Sequence, residues 1–111
     1  AIAPMIELCR LTEDEAVLRL TTAAINDMCD KDQHREIVFQ AGGLPVLGLA
    51  LDKVGNPKLQ IAKEASTIRK NVATALCSLS LSRRCRGGFV EAGIVQRLMN
   101  LCMLADVEKK L

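Results

Sequence analysis

The chain contains no tryptophan and no tyrosine, and its only aromatic residues are Phe39 and Phe89. It therefore lacks the large side chains that dominate most protein–protein hot spots and the stacking platforms that bind single-stranded nucleic acid. No apolar run approaches the roughly 20 residues that span a bilayer, so we expect no membrane insertion. Half of the 111 residues are nevertheless hydrophobic, which excludes an intrinsically disordered chain.

Groups suited to catalysis or metal binding are also scarce. The single histidine, His34, has no cysteine at a usual zinc spacing. The sequence contains neither a G-x-S-x-G motif nor a glycine-rich phosphate loop after a strand. It therefore predicts no enzyme activity, no catalytic residue, no metal site and no cofactor.

The cysteines do not suggest a disulfide framework, because they are odd in number and form no C-x-x-C motif. They are Cys9, Cys29, Cys77, Cys85 and Cys102. Four of them lie inside apolar helical patterns, where a free thiol behaves as a small hydrophobe. Reduced thiols predict a reducing compartment, namely the cytoplasm, and leave nuclear or ciliary locations open.

The net charge of +2 does not by itself indicate a nucleic-acid or membrane partner. Its distribution is uneven. Residues 1–36 contain eight acidic and four basic residues, whereas residues 37–111 contain five acidic and eleven basic residues. The sequence therefore predicts a polarised surface.

An internal repeat is the most informative feature of the chain. An offset of 51 residues places Gln40-Ala41-Gly42 over Glu91-Ala92-Gly93, and it also aligns Ala24-Ile25 with Ala75-Leu76. An offset of 41 residues aligns Pro4 with Pro45. The extra residues of the longer offset lie in the connection 52–57 and in the helix start after it. Repeat arrays tolerate insertions in such loops.

Helical periodicity runs through each repeated unit. Apolar residues at steps of three and four predict long helices over 13–30 and 58–81, the first with a Thr12/Glu15 capping box and the second starting at Asn56-Pro57. Shorter helices are predicted over 34–40 and 85–91, each ended by glycine before another helix over 44–51 or 94–104. Leu47 and Leu76 are expected in the core.

The order of short helix, A-G-G, proline-containing helix, loop and long helix resembles the armadillo repeat. The segments that carry the likeness are R-E-I-V-F-Q-A-G-G-L-P-V-L at 35–47, A-L-C-S-L-S at 75–80 and F-V-E-A-G-I-V at 89–95. HEAT repeats are the near alternative. The resemblance implies an all-α fold: a right-handed α-solenoid of about two and a half three-helix repeats.

The same resemblance sets the expected organisation of the chain. Residues 1–111 form one segment with a partial repeat at 1–30, a full repeat at 34–81 and a partial repeat at 84–111, in which 106–111 begin another third helix. The first helix begins with apolar residues and the last helix ends with them, so neither terminus has a polar cap. Repeat arrays also need about three or more repeats to be stable. We therefore expect a piece of a longer array, flanked at both ends by further repeats.

In armadillo arrays the third helices line a concave groove that binds extended peptides or proteins. The resemblance therefore implies a non-catalytic scaffold for a protein or peptide partner. Residues opposite the buried stripe of the two long helices are the candidate contacts: Arg19, Ala23, Asp27, Lys70, Thr74 and Ser78. We call them the polar strip. The Trp and Asn ladder of importin-type members is missing, and the cations Arg19 and Lys70 suit an acidic partner.

A cluster of arginines supports an alternative function. Arg83, Arg84 and Arg86, helped by Arg97, could bind an anionic ligand or nucleic acid, although nucleic acid is not the expected partner of a chain without aromatic platforms. The plain alternative is that the cluster lies at the end of the long helix, where the helix dipole favours cations. A purely architectural role in a large assembly is a third hypothesis.

Overall fold

The computed structural model describes residues 2–100, and within this range the protein is entirely helical, without a strand. Its helices are α1 (Ile2–Leu11), α2 (Glu15–Met28), α3 (Asp32–Gln40), α4 (Gly43–Gly55), α5 (Ala65–Leu79) and α6 (Arg83–Glu91). A further helix, α7, covers 94–100. The all-α prediction is confirmed. The predicted end of the 94–104 helix, the third-helix start at 106–111 and Cys102 lie outside the described residues.

The start of α2 differs from the predicted capping box. Asp14 is the N-cap, and its carboxylate accepts a hydrogen bond from the backbone N–H of Val17 at 3.0 Å. Thr12 instead accepts from the N–H of Asp14. The carboxylate of Glu15 does not reach back to Thr12, because it accepts the backbone N–H of Glu64 from the neighbouring α5 region. The capping-box prediction is therefore wrong.

The start of α5 is the largest departure from the sequence prediction. The helix begins at Ala65 rather than near 58, and Asn56 is the C-cap of α4, which runs on to Gly55. The side chain of Asn56 accepts the N–H of Lys58, and Gln60 adopts a left-handed φ of +52°. Ile61 is buried although it lies outside any helix. Its apolar character extended the helical pattern into the non-helical connection between α4 and α5.

Two glycines in equivalent positions produce the turns between the short helices and the helices after them. Gly42 has φ of +88° and Gly93 has φ of +69°, a region in which a Cβ is strained. Gly43 also allows close approach, because a Cβ there would lie 2.5 Å from Cγ1 of Val38. The predicted glycine turns are confirmed.

Arginines at equivalent positions cap the two long helices. Arg35 Nε donates to the carbonyl of Cys29, the C-cap of α2, at 2.7 Å. Arg86 Nε donates to the carbonyl of Ser80, the C-cap of α5, at 2.6 Å. Donors and acceptors are both separated by the same 51 residues as the sequence repeat, so the repeat extends to the hydrogen bonds that end its helices.

The core lies between α5 and the helices before it, since α5 packs against α2, α3 and α4. Leu47 and Leu76, both predicted core residues, are 0% and 2% exposed. The largest fully buried side chains are Leu18, Ile25, Leu44, Leu47, Ile68, Leu76, Leu79 and Ile94.

Among helices α1 to α6, α4 contributes the most buried residues. It packs against both α1 and α5. Within residues 2–100 no single helix has the length and apolar character to cross a membrane, and α3 and α4 meet that test only when joined across a 75° bend.

Candidate protein-interaction surface

The two long helices α2 and α5 lie side by side and are joined by polar contacts as well as apolar ones. The side-chain amide of Asn71 donates to the carbonyl of Arg19 at 3.3 Å and to the hydroxyl of Thr22 at 3.2 Å. The hydroxyl of Thr22 donates in turn to the carbonyl of Leu18. Because a directional hydrogen bond fixes relative position better than apolar contact does, Asn71 sets the register between the helices. Sequence reasoning did not single out Asn71.

Beside this contact, the polar strip is partly open to solvent. Asp27, Lys70 and Thr74 are exposed, whereas Ala23 and Ser78 are half-buried. The hydroxyl of Thr74 donates to the carbonyl of Lys70 at 2.8 Å, so it lies against its own helix. Small side chains therefore lie near two charged residues, and neither Asp27 nor Lys70 forms an ion pair with any other residue in 2–100.

Arg19, expected to suit an acidic partner, already has a carboxylate partner within the chain. Its Nε lies 3.4 Å from Oε2 of Glu64, and both side chains are about one-third exposed, at 36% and 33%. Glu64 also donates its backbone N–H to Glu15 in the first turn of α2. These contacts join the N-terminal ends of α2 and α5, and they leave Lys70 as the cation of the strip that is not engaged by a carboxylate among the described residues.

The arginines of the alternative anion site are divided among separate partners. Arg84 pairs with Glu36 of α3, and Arg86 caps α5 as described above. Arg83 is exposed and makes no ion pair within residues 2–100. All three lie in the first turn of α6 rather than at the end of the long helix.

Arg97 donates more internal hydrogen bonds than Arg84 or Arg86 does. It donates to both carboxylate oxygens of Asp52, at 3.0 and 2.8 Å, and to the carbonyl of Ala92 at 2.7 Å. The hydrogen bond from Arg97 lowers the pKa of Asp52, and the same bond raises the pKa of Arg97. The pair links α4 to α7, so Arg97 stabilises the contact between these helices rather than completing a basic patch.

Lys53 is a buried cation that sequence reasoning missed. It is 8% exposed, and its Nζ donates to the carbonyls of Cys9, Arg10 and Thr12 at 3.0, 2.6 and 2.7 Å. These carbonyls end α1, where the helix dipole favours a positive charge. Burial lowers the pKa of Lys53. The sequence signal that indicates this burial is the position of the lysine within the apolar pattern of α4, three residues after Ala50.

Three of the cysteines are buried thiols, whereas Cys77 of α5 is exposed. Burial raises the pKa of Cys29 to about 11 and also raises the pKa of Cys9. The thiol of Cys85 lies 3.8 Å from the carbonyl of Arg35 as a weak donor. Thiols with raised pKa stay protonated near neutral pH and are poor nucleophiles. Cys9 and Cys29 therefore act as packing groups.

Within residues 2–100, no three His, Cys, Asp or Glu side chains lie close enough together to hold a metal ion. Comparisons with protein-family models, curated proteins and solved structures give no match for this chain. Among the described residues, the polar strip combines exposed charges with small side chains on two adjacent helices.

Proposed function

We propose that the chain is part of an armadillo-type solenoid and acts as a non-catalytic scaffold, binding an extended segment of a partner protein along the polar strip. Contacts between like helices support this architecture. Hydrogen bonds join the end of α1 and the adjacent Thr12 to α4 at separations of 41 to 44 residues, and they join α2 to α5 and its N-cap Glu64 at 49 to 52 residues. These separations are close to the two offsets of the sequence repeat, as expected when equivalent helices of successive units stack.

The exposure of the strip is the single observation that carries the binding proposal. Small side chains at Ala23, Thr74 and Ser78 let a ligand backbone approach two helices at once. Lys70 and Asp27 stand exposed beside them, each without an ion-pair partner within residues 2–100. Unpaired charges next to a shallow, small-residue surface can select a ligand by charge without first breaking an internal contact.

The partner's chemistry follows from which charge is available. Arg19 already has Glu64 as a partner, so an acidic ligand would be recognised mainly through Lys70. A glutamate side chain placed near Lys70 would replace only water, whereas one near Arg19 would compete with Glu64. The partner we propose is therefore an extended peptide with a carboxylate that pairs with Lys70.

Fluorescence anisotropy with a fluorescein-labelled extended peptide, bearing glutamate at every second position, tests this proposal. Lys70→Glu should weaken binding about tenfold or more, and Thr74→Glu should weaken it several-fold, because each places a carboxylate beside the ligand. Lys58→Glu is the matched control, because it makes the same charge change at an exposed turn away from the strip. Its effect should stay below about twofold.

Equal losses in Lys70→Glu and Lys58→Glu would mean that the peptide responds only to net charge, and the strip would not be a site. Loss of binding in Arg83→Glu alone would instead favour the arginine cluster. The structure gives that alternative less support, because Arg84, Arg86 and Arg97 already have internal acceptors. Circular dichroism would establish that each variant keeps its helix content.

A further inference from the structure

A pocket lies where the end of α3 and the start of α4 meet α6. It encloses about 330 Å³, and its described walls lie between residues 39 and 92. Most of the lining is apolar, namely Phe39, Leu44, Pro45 and Ala92. Small-molecule sites usually enclose about 300–1,000 Å³ and combine an apolar lining with a few polar groups, so this pocket falls within their range. We call it the α4–α6 pocket.

Two glycines keep the α4–α6 pocket open. Gly42 and Gly88 line it without side chains. A Cβ on Gly88 would lie 3.0 Å from Cδ1 of Leu44 and 3.1 Å from Cζ of Phe39. The residue 51 positions earlier is Ile37, so the repeat itself does not require glycine at this place. A side chain of that size at position 88 would take up part of the space that the pocket now offers.

Glu91 is the only charged residue among the described residues that line the pocket. It is exposed and forms no ion pair within residues 2–100. It is also the last residue of α6, where the helix dipole disfavours a negative charge. The equivalent residue of α3 is the neutral Gln40. The carboxylate therefore gains nothing from the dipole of its own helix, and it is available to a cation from outside.

Two arginines near the pocket are already engaged. Arg84, one turn before the lining residues of α6, pairs with Glu36. Arg97, which donates to the carbonyl of a lining residue, also donates to both carboxylate oxygens of Asp52. Each arginine is thus balanced by a carboxylate of its own, and the pocket keeps the negative charge of Glu91.

We propose that the α4–α6 pocket binds a small organic cation, in which an amine or amidine is attached to a compact apolar body. The apolar body would leave water for the surface of Phe39, Leu44 and Pro45, which favours binding through the hydrophobic effect. The cationic group would donate to Glu91, because hydrogen bonds between ionised groups are stronger than those between neutral ones. The two parts of the ligand therefore match the two parts of the pocket.

Benzamidine, a planar amidinium group on a benzene ring, is the probe. It is titrated into the isotopically labelled 111-residue protein and followed by amide NMR spectra. We expect saturable shifts of the amide signals of Gly42, Gly88 and Ala92, with a Kd in the millimolar range that is usual for so small a ligand. Benzamide has nearly the same shape without the charge, and it should bind at least about threefold more weakly.

Two pairs of variants test the two parts of the pocket. Glu91→Gln should weaken benzamidine at least about threefold and leave benzamide unchanged. Glu13→Gln makes the same change at an exposed position outside the pocket, and its effect on both compounds should stay below about twofold. Gly88→Ala should weaken both compounds at least about threefold, because its methyl group must displace side chains that line the pocket. Gly87→Ala is the control for it, since a Cβ on Gly87 meets open space.

Equal affinities for benzamidine and benzamide, or equal effects of Glu91→Gln and Glu13→Gln, would overturn the inference. Shifts that do not saturate by about 20 mM would overturn it as well. Tighter binding of benzoate than of benzamidine would also do so, and it would make the N-terminal end of α4 the recognising group. The pocket shares no residue with the polar strip, so Glu91→Gln should change the affinity for the glutamate peptide by less than about twofold. Failure of this inference therefore leaves the proposed function untouched.

Discussion

Lys53 provides the sharpest test of how the first helix is attached to the rest of the protein. Its ammonium group donates to three carbonyls at the end of α1, those of Cys9, Arg10 and Thr12. Replacing it by methionine keeps an unbranched apolar stem of similar length and removes only the donor. Lys53→Met thus measures the hydrogen bonds and the charge rather than the packing.

The expected magnitude follows from the surroundings of each acceptor. The bond to the Cys9 carbonyl is buried, and leaving that acceptor unsatisfied costs about 1–3 kcal/mol. The bonds to Arg10 and Thr12 are only part-buried, so water can replace them, and each contributes about 0.5–1 kcal/mol. Burial of the ammonium charge is unfavourable and lowers the pKa of Lys53. Removing that charge offsets part of this sum. We expect a net loss of about 2–3 kcal/mol in the free energy of unfolding.

Urea unfolding followed by circular dichroism at the helix band is the suitable assay, because the chain has no tryptophan or tyrosine to report by fluorescence. Lys58→Met is the control, since Lys58 is exposed after α4, and it should change stability by no more than about 0.5 kcal/mol. If Lys53→Met cost less than about 0.5 kcal/mol, the three bonds would contribute nothing beyond solvation, and the reasoning would be refuted.

Two further perturbations test local packing and ionisation. Gly43→Ala should cost about 1–3 kcal/mol or more in urea unfolding, because its Cβ would lie 2.5 Å from Val38, whereas Gly55→Ala has open space and should change stability by less than about 1 kcal/mol. The pKa of Cys29 rises from its ordinary value of 9.0 to about 11, so the folded protein keeps a proton that the unfolded chain releases. The titration of Cys29 should thus lower the free energy of unfolding by about 2 kcal/mol from pH 9 to pH 11. Unfolding curves across that range should show a smaller fall in Cys29→Ala but an unchanged one in Cys77→Ala, and an unchanged fall in both would contradict the assignment.

The sequence alone determined the features that depend on neighbouring residues. The short helices α3 and α6, the glycine turns at Gly42 and Gly93, and the burial of Leu47 and Leu76 were predictable. Helical periodicity and the left-handed preference of glycine act over a few residues, so their signals stand in the local sequence. The repeat offset was also readable, and it matches the arginine caps that the structure places 51 residues apart.

The tertiary structure alone decided which charged groups are available and where α5 begins. Arg19 and Lys70 occupy equivalent sequence positions, yet only Arg19 meets a carboxylate, because the turn before α5 brings Glu64 beside it. Lys53 is buried since the end of α1, more than 40 residues away in sequence, supplies its acceptors. Ile61 is buried in the non-helical connection before α5, although its apolar character alone predicted a helix there. Periodicity reports which residues are apolar, but the partner of a polar side chain depends on the packing of distant helices, which no local pattern records.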